Sequence, residues 1–260
     1  MRWTVLSDNR TNDNCLQTEH GLSILLDTQR HRILLDTGAS DIFIRNAGMK
    51  GIDLSTVDYV FISHGHSDHA GGLRYFMKMN SKAKVIVSPY ALNGKFFSKR
   101  NLMHSITALW PENMQERLLM IDHSCEIENG MFVIAHIPQN HPVPKGNCHL
   151  FVQKDVVNGS FMPDDFRHEL AMYVDGFLFT GCAHSGLENI LSACPWPINT
   201  VVGGFHLLDG HEMEEELSAL GKRLIETYPN TEFYTGHCTG ESAFSILKNV
   251  MGCQLHLFCL

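Results

Sequence analysis

The chain has 260 residues, 44% of them hydrophobic and 18% charged, a composition that supports a large core and excludes intrinsic disorder. Lys and Arg number 20 against 28 Asp and Glu, and a formal charge of −8 argues against a surface that tracks phosphate backbones or anionic membranes. The N-terminus has no apolar core of a signal peptide and no run reaches a membrane span, so a cytoplasmic protein acting on a small molecule, without nucleic acid or membrane as partner, is expected.

No linker or low-complexity segment divides the chain, and residues 1–260 read as one domain. Residues 21–27 and Arg32–Leu35 predict a hairpin, and residues 59–63 and 84–88 predict buried strands. Asn129-Gly130 lies between Cys125–Glu128 and residues 131–136, and Asp175-Gly176 between residues 169–174 and 177–180. Both read as hairpin turns in which the two central residues take positive φ. Residues 212–228 carry Met213, Leu217, Leu220 and Leu224 at helical spacing, closed by Pro229. Glu241–Met251 carries Ala243, Phe244, Leu247 and Val250 on one side, with Thr239 as expected N-cap and Gly252 just past the end. An internal echo runs through the chain: residues 33–69 and 177–206 each read strand, Gly-containing turn, helix, strand, histidine. Such halves place a site beyond the carboxyl ends of the strands.

Eight cysteines form no C-x-x-C pair and are expected as reduced thiols, whereas the 16 histidines nearly equal Lys plus Arg and point to metal. The strand at 59–63 runs directly into His64-Gly65-His66-Ser67-Asp68-His69-Ala70-Gly71-Gly72. His64 and His66 can turn towards one ion from an extended loop, and Asp68 and His69, opening a helix, can face a second. Imidazole and carboxylate donors suit zinc first, with iron or manganese as alternatives.

At these residues the sequence resembles the metallo-β-lactamase superfamily. The matching motifs are Leu34-Leu35-Asp36-Thr37-Gly38 and the His64–His69 run. Glu19-His20-Gly21-Leu22-Ser23, Thr180-Gly181-Cys182-Ala183-His184-Ser185-Gly186, Gly203-Gly204-Phe205-His206-Leu207 and Gly236-His237-Cys238-Thr239-Gly240 are similar to the dihydropterin-ribofuranosylaminobenzene-phosphate synthase-like branch. The resemblance implies an α/β fold, a four-layer αβ/βα sandwich of two pseudo-repeated halves. It also implies a mono- or dinuclear metal site at one edge of the sheets, with His237 closing the second ion's site. The branch label implies a phosphorylated, pterin-type substrate.

One departure stands out: the superfamily's bridging Asp is replaced by Cys182. A thiolate bridge and a packed thiol are both open, and His184, two residues on, can supply a nitrogen to either ion at the bridging depth. His206 is open between ligand, anion holder and supporting residue, on a stretch expected to be loosely held. Asp36 is expected to orient the histidine loop by hydrogen bonds, and Glu19 and His20 to face the mouth. The third ligand of the first ion is not singled out among histidines 104, 123, 136, 141, 149 and 168. The proline-rich 137–148 and residues 157–167 are expected as walls or lids. The expected chemistry is hydrolysis by metal-activated water, with Asp68 as proton acceptor. A non-catalytic metal- and ligand-binding protein, a redox enzyme and a nuclease are the rivals.

Overall fold

In the computed structural model, which describes residues 1–153 and 159–260, the apolar runs pair into two sheets. The first runs Arg2–Ser7, Ser23–Asp27, Arg32–Leu35, Tyr59–Phe61, Lys84–Val87, Leu118–Met120, antiparallel up to Arg32–Leu35 and parallel beyond it. The second runs Leu255–Leu257, Glu232–Thr235, Thr200–Val202, Phe177–Phe179, Ala171–Val174, Met131–Ile134, Cys125–Glu128; its first four strands are parallel and the rest antiparallel.

Side chains alternate faces along a strand, so continuous apolar runs mean sheets covered on both sides. Ile24, Leu26, Ile33, Leu35 and Phe61 point inward and meet Met131, Val133, Met172, Phe179 and Val202 of the facing sheet. Leu25, Leu34 and Val60 point outward onto Phe43 of helix Ile42–Met49 and Leu73 and Phe76 of helix Leu73–Met79. Leu178, Val201 and Phe233 of the second sheet pack on helices Leu187–Ala193, Glu214–Thr227 and Glu241–Met251 through Ile190, Leu224 and Leu247. The layers are therefore helix, sheet, sheet, helix, the αβ/βα sandwich. Both echoing halves are parallel strand–helix–strand units, and their carboxyl ends open on one edge.

Several local expectations change. At Asp175-Gly176 both residues have positive φ, 46° and 90°. At Asn129-Gly130 only Gly130 does, at 84°, and the ladder there shifts register between Met131 and Phe132. Met213 is 59% exposed and sits at the N-cap, so the buried stripe of its helix is Leu217, Gly221 and Leu224. Gly240, with φ of 77°, takes the N-cap position expected for Thr239, whose hydroxyl instead accepts from Phe205 N.

The larger difference is a third sheet, Phe161–Pro163, Leu150–Gln153, Phe96–Lys99, Met103–Ser105, antiparallel throughout. Residues 161–163, expected within a lid, are its edge strand, where Pro163 costs no ladder bond to an outer neighbour. Residues 157 and 158 of that expected segment lie outside the described residues. Within 137–148 the chain enters a short 3-10 helix, Lys145–His149. Among the described residues no helix is long and apolar enough to cross a membrane.

Phe61 and Phe179 meet edge-on between the sheets, 6.1 Å apart, each fully buried at a strand end that leads into a histidine loop. Phe179→Ala should lower the unfolding free energy by about 3–5 kcal/mol, the usual cost of an aromatic deleted from a packed core. Urea titration followed by circular dichroism checks this, and a change below about 1 kcal/mol would contradict the packing described.

Candidate metal centre

Five parallel-strand ends deliver the site. Leu35 leads to Asp36, Phe61 to His64 and His66, Phe179 to Cys182 and His184, Val202 to His206 and Thr235 to His237. Asp36 is fully buried and accepts three hydrogen bonds, from Ser63 N at 2.7 Å, Ser63 Oγ at 2.7 Å and His69 Nδ1 at 2.6 Å. Because Ser63 gives its one hydroxyl proton to Asp36, it accepts from His64 Nδ1 at 2.8 Å. One carboxylate thereby sets the tautomers of two histidines and leaves the Nε2 of each as the lone-pair nitrogen.

The second sheet repeats the device with different partners. Buried Glu169 accepts from the backbone of His184 and Ser185, both at 2.7 Å, and pins the turn after Cys182. Asn147 takes His184 Nδ1 on its Oδ1 at 3.1 Å and gives its amide to the His184 carbonyl at 2.8 Å. Asp8 accepts from His237 N at 2.9 Å, and Asn9 Oδ1 meets His237 Nδ1 at 3.0 Å. Four imidazoles, those of His64, His69, His184 and His237, thus have Nδ1 occupied and Nε2 turned to the interior. The two halves touch at Gly181, whose φ is +60° and where a Cβ would stand 2.5 Å from Ser63 Oγ; only glycine allows that approach.

Two groups of donors result. Ligand atoms of His64, His66 and His184 lie within 4.8 Å of one another. In the other group Asp68 Oδ2 stands 3.6 Å from His69 Nε2 and 3.3 Å from His237 Nε2, and those nitrogens are 3.2 Å apart. Cys182 Sγ lies 3.0 Å from His69 Nε2 and forms further groups with His64 and His69, with His237 and Cys238, and with His184 and His206. Burial depresses the basicity of His64, His66 and His184, so these imidazoles are neutral donors. Burial also opposes charge on His69, but the Asp68 and Asp36 carboxylates outweigh it and hold that ring up at about 9, so its Nε2 is a lone-pair donor once a bound cation takes the place of the ring proton.

The site's arrangement departs from the sequence expectation in several places. Cys182, not His184, occupies the position between the two groups. Ala183, with φ of 55°, turns the chain so that His184 joins His64 and His66 and fills the place for which no histidine was singled out. His168, one of the candidates, lies behind the site instead: its Nδ1 accepts from Gly65 N and its Nε2 meets Asp164. His206 is held firmly, since Leu207 N and Leu208 N both donate to the Cys238 carbonyl, and its two ring nitrogens are buried without partners. Glu19 does not face the mouth; it accepts from Ser7 Oγ, Ala39 N and the Ser40 hydroxyl and braces the loop after Asp36. His20 does reach the mouth, stacked on His237 with its Nε2 3.5 Å from Asp68.

Several contributors had no sequence motif: Ser63, Asp8, Asn9, Asn147, Asp164, Glu169 and Arg100. Cys238, quoted only as part of a motif, packs its sulfur 3.2 Å from that of Cys182, and burial pushes the Cys182 thiol up. Over the donors lies a cavity of about 410 Å³ lined by His20, His66, Asp68, Cys182, His184, His206 and Cys238, with Ser98, Arg100, His104 and Leu150 of the third sheet and its flanks as the opposite wall.

Residues 17–237 match the family model of the metallo-beta-lactamase superfamily. The chain is 26% identical to an uncharacterized protein of Methanocaldococcus jannaschii over 245 residues, 89% of this chain and 88% of that one. It is 23% identical to the 7,8-dihydropterin-6-methyl-4-(beta-D-ribofuranosyl)-aminobenzene-5'-phosphate synthase of the same organism, over 93% of this chain and 88% of the synthase. Among solved structures it is similar to Tm1679, a metal-dependent hydrolase of the beta-lactamase superfamily. The TM-score is 0.81 with 32% identity, over 98% of this chain and 95% of the other.

Removing the anchor of two tautomers should weaken metal binding without touching a donor. Asp36→Asn is expected to lower metal affinity by about 10–100-fold, the range for partners that orient ligating histidines. Competition with a chromophoric chelator measures it, and unchanged affinity would show that Asp36 only stiffens the fold.

Proposed function

The chain belongs to the metallo-beta-lactamase superfamily, and we propose that it is a metal-dependent hydrolase with a mono- or dinuclear centre acting on a small anionic or phosphorylated ester. Zinc is the proposed metal, with iron and manganese as the other candidates for this donor set. The carrying observation is the set of buried imidazoles whose Nδ1 atoms are committed and whose Nε2 atoms converge; those of His64 and His184 have no hydrogen-bond partner. Most buried polar atoms have a partner, so several unpartnered imidazole nitrogens facing one interior call for an occupant. The residues present therefore fit an ion.

In this reading His64, His66 and His184 would hold one ion and Asp68, His69 and His237 the other, with Cys182 lying between the two donor groups. A bound divalent ion supplies Lewis acidity, lowering the pKa of water and steadying charge that develops on the substrate oxygen. Asp68, half-buried at the edge of the cavity, receives the proton of the attacking water. Burial opposes charge on it, but His69, His237 and His20 around it hold its carboxyl well below the usual carboxylate range in the absence of an ion. Exposed His20, 3.5 Å from Asp68 Oδ2, passes that proton to solvent. His206 offers its unpartnered nitrogens to the anionic part of the substrate, and Arg100 and His104 set the charge of the rim. Ile106, Leu150 and Leu208 keep bulk water from the reacting bond. Similarity to the synthase makes a pterin-type phosphate the first substrate to try. The contact between Cys182 and Cys238 favours one other reading, a non-catalytic metal- and ligand-binding protein of the same fold.

Turnover of a phosphoester and carboxyl-ester panel by metal-loaded protein separates the two readings. His64→Ala should abolish turnover and remove metal from the main centre while keeping the circular dichroism of the fold; retention of a full metal complement there would refute the assignment. His184→Ala is expected to lose an ion. His206→Ala should keep the metal and mainly raise KM, as when ground-state and transition-state binding fall together. Metal analysis of the two variants decides between these roles, and the reversed pattern would exchange them.

A further inference from the structure

We propose that Cys148, His149 and His211 form a second, peripheral metal site for a divalent ion of the zinc class, clipping together two loops that border the cavity. The ligand atoms of the three residues lie within 4.8 Å of one another, and none of them belongs to the main centre. His149 Nε2 and His211 Nε2 face each other at 2.9 Å, with ring centroids 5.0 Å apart. His149 Nδ1 lies 3.2 Å from the Lys99 carbonyl, which can only accept. The His149 ring proton is therefore placed on Nδ1, and its Nε2 presents a lone pair to His211. This repeats the logic of the main centre, where an oxygen behind each of four imidazoles engages Nδ1 and turns the other nitrogen to the front.

One sulfur and two imidazole nitrogens form a donor set that selects zinc over magnesium or calcium, and solvent at this exposed position completes a tetrahedron. The two loops already approach each other, since Lys145 N donates to Glu212 Oε1 at 2.7 Å. Arg100, beyond the end of strand Phe96–Lys99, braces the second loop through two contacts of 2.8 Å to Asp209. Asn147, beside Cys148, orients His184, and His206 precedes His211 on the other loop. An ion held by Cys148, His149 and His211 thus fixes the segments that carry Asn147 and His206, steadying a donor and the cavity wall from outside. Without an ion, the same geometry would be an N–H···N hydrogen bond beside an idle thiol.

The two accounts separate on metal binding alone. Chelator-stripped wild type, His211→Gln and Cys148→Ser are titrated with Co(II), and the metal retained after desalting is counted. We expect each variant to bind one equivalent fewer than wild type, and Cys148→Ser to lose part of the near-ultraviolet thiolate-to-cobalt absorption. His64→Ala should keep the peripheral equivalent, so failure of the main-centre assignment and failure of this one give different results. Stoichiometry and absorption equal to wild type in both variants would overturn the proposal, as would loss of all metal in either. Cys148 and His211 are exposed, and thermal melts of the metal-free proteins verify that the fold is intact.

Discussion

The buried carboxylate of Asp36 is the group on which the rest of the site depends. A charge with no solvent contact is tolerable only when its lone pairs are filled, and here a backbone amide, a hydroxyl and an imidazole fill them. Those bonds join the ends of two neighbouring strands and the first turn of the following helix. They aim His64 and His69 and, through Ser63, set the surface against which Gly181 of the facing sheet packs. Asp36 holds φ of 55° to do this, a backbone conformation that a non-glycine residue keeps only when its surroundings enforce it.

The two donor groups differ in electrostatics. His64, His66 and His184 are buried neutral nitrogens, so an ion held by them alone would keep its full positive charge. The group around His69 and His237 contains Asp68, with Asp36 directly behind, and partly neutralises its ion. Cys182 between them, next to Cys238, adds polarizable sulfur where a hard carboxylate is usual. On the proposed hydrolytic reading the centre would therefore be asymmetric, more electrophilic on the histidine side and more basic on the Asp68 side.

What was legible in the sequence was what is local. The His64–His69 run lies within six residues, and the strands flanking it are continuous apolar runs because both sheet faces are covered. Helix Glu241–Met251 was readable from its apolar spacing and from Gly252 at its end, although its N-cap is Gly240 and not Thr239. The supporting residues were not legible: Asn147 meets His184 across 37 residues, and Asp8 meets His237 across 229. A single Asn or Asp in a loop carries no periodicity that announces such a partner. The third sheet was hidden for another reason. Its strands have only three or four residues, and Phe161-Met162-Pro163 is exposed, so neither burial nor alternation marks it. Placing Cys182 rather than His184 between the donor groups depended on the left-handed turn at Ala183, which residue type does not disclose.

The hydrogen bond from His237 N to Asp8 spans nearly the whole chain, and the contact between His69 and His237 spans 168 residues. On a ribosome, the sheet that carries His64 and His69 emerges long before Glu232–Thr235 does. Through that interval the nascent chain carries a half-built set of imidazoles and an Asp8 without its His237 partner. Closure of such distant segments is slow because its entropy is lost before the contacts reward it. The order of synthesis therefore leaves both donor groups incomplete until His184 and His237 have been delivered by the second sheet.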